Sequence, residues 1–173
     1  MPRRSLWILL VLVLISIIQW VHFYPLLPDR VAHRFDGRGG SMHRSPKAEI
    51  AAVTASVEAL MLLIFLGIPW ISARIPISWW NLPNREYWFD AKQKCGTLAS
   101  IRQYLIWLGA AILGFMLMVS QNVINVNVPE SERISVPGME ILTVLLILCI
   151  GVWSGMLLRR FRLPGEARKK RKD

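Results

Sequence analysis

Glu58 lies deep inside an apolar run, "IAAVTASVEALMLLIFLGIPWI", where an acidic residue is out of place. A carboxyl there could carry a proton or an ion, or could hydrogen-bond Thr54 or a neighbouring helix. A second set of reactive types runs upstream, from the end of the preceding apolar run into a polar stretch: His22, Asp29, His33, Asp36 and His43. Imidazole and carboxylate groups ligate metals and transfer protons. Their spacing matches no zinc signature, so neither a metal nor another cofactor is expected. The same stretch holds Arg30, Arg34, Arg38, Arg44 and Lys47, a basic set suited to an anionic or peptide partner. No phosphate-binding loop, dinucleotide fingerprint or Ser/His/Asp pattern is present, and an enzyme is not expected.

These residues are positioned by a chain of 173 residues, 54% apolar, with a net charge of +10. The apolar residues gather in blocks and the charges gather between them. A helix needs about 20 mostly apolar residues to cross a bilayer, and four blocks qualify: 6–23, 50–71, 104–124 and 139–158. They lack the alternation of barrel strands, so the expected class is an all-α integral membrane protein with four transmembrane helices. The bilayer is its first partner. The basic charge lies beside apolar blocks without a base-stacking surface, which argues against nucleic acid. Block 6–23 is followed by "QWVHFYP" and no small-residue cleavage site, so an uncleaved anchor is expected rather than a signal peptide.

Orientation follows from Lys and Arg, which are retained on the cytoplasmic side in short loops. The N-terminal tail (1–5), the connection 72–103 and the tail 159–173 hold fifteen basic residues, against six in 24–49 and 125–138. Both termini are therefore expected in the cytoplasm, and segment 24–49 outside. Pro25 and Pro28 stop the first helix, and Asp36-Gly37 and Gly39-Gly40 read as turns in a compact loop. Ser45-Pro46 reads as a cap and first turn for the second helix. Cys95 and Cys149 fall in different compartments, so no disulfide is expected.

Small residues recur at close-packing spacing: Ala51, Ala55 and Ala59; Ala110 and Gly114; Gly151 and Gly155. Glu58 shares the face of Ala51, roughly 12 Å from the outer end of its helix at 1.5 Å per residue. An acid at that depth must be protonated, paired or beside water. Gln121, Asn122, Asn125 and Asn127 are expected to reach the headgroup region, and Glu140 to sit in the first turn of the fourth span.

"YPLLPDRVAHRF", a later glycine and a lysine before the next span resemble a bacterial domain of unknown function. That domain stands at the N-terminus of Sdp-type toxin-immunity membrane proteins. Leu27, Pro28, Asp29, Val31, Phe35, Gly39 and Lys47 fit its motif. Ala32 replaces its second proline, and Arg34 takes the histidine position with His33 one residue early. "WWNLPNREYWFD" is similar to a second stretch of the family through Asn81, Leu82, Pro83, Asn84, Tyr87 and Trp88. The resemblance implies a multi-pass protein of the bacterial inner membrane that binds or senses rather than catalyses. It implies a partner that is a peptide toxin or a regulatory protein held at the membrane, with the outer motif meeting a peptide or ligand and Asn81 to Trp88 presenting a cytoplasmic surface. An alternative reading is a small transporter or transporter subunit using Glu58.

Overall fold

The computed structural model describes residues 3–35, 41–72, 74–80 and 82–162. Helix α1, Arg3–Phe23, is built from an almost unbroken Leu, Ile and Val run. A 3-10 turn, Tyr24–Leu26, ends it where Pro25 cannot donate to the preceding turn.

Two strands follow, β1 (Arg30–Phe35) and β2 (Ser41–Pro46), paired antiparallel. Arg30 lies opposite Pro46, Val31 opposite Ser45 and Ala32 opposite Arg44. The register then slips by one residue on β1 at His33 and by one on β2 at Met42, two opposite bulges that restore Phe35 to Ser41. The expected turn-rich loop is thus a β-hairpin, and a purely helical class omits it.

Helix α2, Lys47–Ile71, starts directly from β2. Ser45 is a strand residue, and Pro46 occupies the cap position without a side-chain cap bond, which corrects the expected Ser45-Pro46 cap. Glu49 is in the first turn, where a negative charge suits the helix dipole. A one-turn helix, α3 (Arg85–Trp88), precedes α4 (Lys94–Asn127). At 34 residues α4 is about 51 Å long, well beyond the apolar window 104–124. Helix α5, Met139–Arg160, has Glu140 in its first turn and Arg159 and Arg160 in its last, both favourable to its dipole.

Helices α1, α2, α4 and α5 are each long and apolar enough to cross a membrane. α4 is the hub, with the other three packed on it. Leu9 of α1 meets Ile106, Ala110 and Leu113 in a buried cluster. Trp153 of α5 donates its indole N–H to the Tyr104 carbonyl at 2.8 Å. Phe65 of α2 covers Gly109 so closely that a Cβ there would lie 2.6 Å from its ring. α1 runs parallel to α4, while α2 and α5 run antiparallel to it. α4 is also the least apolar of the four, as a helix surrounded by protein can be.

The close contact thus falls at Gly109 and the buried Ala110. Gly114, Gly151 and Gly155, expected in small-residue contacts, have open space where a Cβ would be. Ala55 and Ala59 are exposed. The outer faces of α2 and α5 are strongly apolar and uncovered, as at Leu63 and Ile147.

Candidate functional site

The hairpin end is built on an apolar plug. Phe23, Leu27, Val31, Ile124 and Val128 form one buried cluster linking α1, β1 and the end of α4. Asn127, in the last turn of α4, completes the attachment. Its Nδ2 donates to the Ala32 carbonyl and its Oδ1 accepts from the Ala32 N–H, both at 2.8 Å. An amide side chain presents one donor and one acceptor side by side, so it continues the hydrogen-bond pattern of an edge strand. Rather than turning to the headgroup region, the Asn127 side chain clamps the strand.

The first motif divides into two groups. Leu27 and Val31 point into the plug. Lys47 also works inward: its Nζ donates to the Leu27 carbonyl at 3.3 Å, lies 3.5 Å from Asp29 and sits over the Tyr24 ring. Its own N–H donates to the Asp29 carbonyl. Pro28 and Asp29 are exposed. His33 is half-buried, and its Nδ1 is sealed without a partner among the described residues. Its ring meets that of His43 edge-on, with centroids 5.9 Å apart. Arg34 is paired in the strand register with His43 and Phe35 with Ser41. Gly39 and Asp36 lie outside the described residues, and Arg30, His43 and Arg44 are exposed.

The second motif closes the opposite end. Asn84 adopts a left-handed conformation (φ 56°), which asparagine tolerates better than most residues, and its carbonyl accepts from Tyr87 and Trp88. This turns Trp88 inward, where it is buried with Phe89, Leu98, Ile101 and Phe161. Trp88 Nε1–H donates to the Phe161 carbonyl at 2.9 Å, and Thr97 Oγ1–H donates to the Trp88 carbonyl at 2.8 Å. Arg160 lies over the Trp88 ring. Leu82 and Tyr87 pack against the same cluster, while Pro83 is exposed. Asn81 is outside the described residues. The motif thus binds α3 to the start of α4 and the end of α5.

Two polar features cross the helix interfaces. Ser16 Oγ of α1 lies 2.7 and 2.8 Å from the two carboxyl oxygens of Glu58 on α2, so the acid has its hydrogen-bond partner on a neighbouring helix rather than at Thr54. Nearer the hairpin, three amides form a chain. Gln19 Nε2 donates to Gln121 Oε1, Gln121 Nε2 to Asn125 Oδ1, and Asn125 Nδ2 to the Ile134 carbonyl. Asn122 donates to the Pro137 carbonyl beside it. Gln121 does not face outward at the span end: it is buried, bonded to Gln19 of α1. The relevant signal in the sequence was the i, i+4 spacing of Gln121 and Asn125, which places them on one helix face.

Among the described residues, no three His, Cys, Asp or Glu side chains gather as a metal site. Chemically, the described part of the hairpin exposes Arg30, His43 and Arg44 on strands tied to the bundle, and the interior offers hydrogen-bonded polar pairs. No family model, curated protein or solved structure matches this chain.

Proposed function

We propose that the chain is a multi-pass binding or sensing protein of the bacterial inner membrane, immunity-like in kind, with its hairpin outside and both termini in the cytoplasm. The observation that carries this reading is the division of labour in the hairpin. Val31, Ala32 and Lys47 fix it to the bundle from within, and Arg30, His43 and Arg44 remain exposed on it. A rigid surface loses little conformational entropy on binding, and a basic one attracts an anionic partner. An acidic or amphipathic secreted peptide fits those terms. The resemblance to Sdp-type immunity proteins points the same way, as does the excess of fifteen basic residues over six on the proposed inner side.

The second motif serves this reading as a structural closure of the inner end, since Tyr87 and Trp88 face the protein. The test is survival of bacteria exposed to a panel of secreted membrane-active peptides. Cells carrying the chain should outlive cells without it for at least one peptide. Arg30→Ala combined with Arg44→Ala, expressed to the same level, should lose that advantage. Equal sensitivity with and without the chain across the panel rejects the proposal.

A further inference from the structure

A cleft of about 280 Å³ opens between α1, the hairpin half of α4 and the connection to α5, close to the size range of ligand pockets. Ile15, Ile18, Leu117 and Met118 give it apolar walls, and Ile134 and Val136 of the connection border it. Gln19 and Gln121 line it too, and both are more than nine-tenths buried. Gln19 uses its N–H groups on Gln121 and the Leu117 carbonyl. Its carbonyl oxygen, Oε1, is buried and has no hydrogen-bond partner among the described residues.

Gln19 also heads the amide chain that runs through Gln121 and Asn125 to the Ile134 carbonyl. Each amide that donates through nitrogen becomes a better acceptor at oxygen, so the chain strengthens the one acceptor it leaves open. Turning the Gln19 amide over would set its oxygen against the Leu117 carbonyl and the Gln121 oxygen, which fixes the assignment. A buried acceptor left unpaired on a residue that lines an apolar cleft calls for a donor.

We propose that this cleft binds a neutral amphiphile: an apolar chain bearing a hydroxyl or amide N–H that engages Gln19 Oε1. The chain lies along Ile15, Ile18 and Leu117, and the donor displaces nothing charged. Such a molecule could be a bilayer lipid or a free ligand, and the chemistry of recognition is the same. The site stands apart from the hairpin surface and does not depend on its reading.

The test uses the full chain in phosphatidylcholine nanodiscs, a lipid whose headgroup has no N–H or O–H donor. A photoreactive long-chain alcohol is compared with its methyl ether, and labelled peptides are mapped by mass spectrometry. The alcohol should label the cleft segments of α1 and α4 about tenfold more than the ether. Gln19→Leu should bring the alcohol down to the ether's level. Met118→Trp, which fills the cleft and leaves the amide chain intact, should suppress both probes and serves if Gln19→Leu fails to fold. Equal labelling by alcohol and ether in the parent overturns the proposal, as would be found if trapped water satisfied Gln19. A preference that survives Gln19→Leu overturns it too. Competition by a monoacylglycerol in the bilayer assigns the site to lipid, and competition by a water-soluble N-alkyl amide alone assigns it to a free ligand. Competition by neither overturns it.

Discussion

Glu58 illustrates how one residue can be read two ways until its neighbour is known. A serine hydroxyl has a single hydrogen, so Ser16 can donate to one carboxyl oxygen at a time while both lie within 2.8 Å. A glutamine in place of Glu58 accepts that hydrogen at its oxygen and donates back to the serine oxygen. Glu58→Gln should therefore retain the α1–α2 tie, whereas Ser16→Ala should weaken it by about 0.6 kcal/mol, the average for interhelical bonds in lipid, and by no more than about 1.7 kcal/mol. Reversible unfolding in mixed micelles checks both. Ion flux in liposomes that disappears with Glu58→Gln would instead favour the transporter alternative. The sequence shows Glu58 to be out of place because charge in hydrocarbon is costly. It does not show Ser16 as the partner, since the two are 42 residues apart. Asn127 is a stronger case: its partner Ala32 lies 95 residues away, and only the fold brings them together. Asn127→Ala leaves two backbone groups of β1 unpaired, each costing about 1–3 kcal/mol if buried. Hydrogen exchange at Ala32 should accelerate by at least tenfold while the centre of α4 stays protected. Unchanged exchange there would remove Asn127 from the clamp.

Elements differ in how plainly the sequence announces them. Long helices were legible because hydrocarbon leaves an isolated segment no other way to pair its backbone, and the apolar run must match the bilayer. The hairpin was not, because Gly, Pro and Asp fill its surroundings and its two bulges break the alternation that signals a strand. Helix contacts were half legible. Small residues mark several possible contact faces, but only the approach of Phe65 shows that α2 meets α4 at Gly109. A leucine at Gly109 would drive its side chain into that ring, and overpacking of this kind costs typically 1–3 kcal/mol. Gly109→Leu should thus destabilise the bundle measurably in the same unfolding assay. Gly155→Leu on the open face of α5 should not. Equal effects of the two would mean that α5 has a covering partner in the membrane. At the other end, Trp88→Phe keeps the ring but removes the donor to the Phe161 carbonyl. The loss expected is about 0.5–1.5 kcal/mol.

The whole molecule is an alternating four-helix arrangement with α4 inside, and its polar groups are sorted along the axis. The hairpin, the Asn127 clamp and the amide chain share one end, and the aromatic closure around Trp88 occupies the other. In the proposed topology positive charge divides the same way, which makes orientation a quantitative matter. Orientation is set mainly by Lys and Arg near the span ends. Neutralising Arg168, Lys169, Lys170, Arg171 and Lys172 reduces fifteen basic residues to ten on the proposed inner side, still above six, so the orientation should hold. Neutralising Arg159, Arg160 and Arg162 as well leaves seven against six, and a mixed population should appear. An impermeant thiol reagent reads this directly in cells carrying Cys149→Ser. His43→Cys, on the exposed hairpin, is compared with the native and exposed Cys95 near the start of α4. In the otherwise unaltered chain, His43→Cys should label in intact cells and Cys95 only after the membrane is opened. With eight charges neutralised, both should label in part. Labelling of Cys95 but not His43→Cys in intact cells would turn the molecule over. The basic hairpin would then face the cytoplasm, out of reach of any secreted peptide.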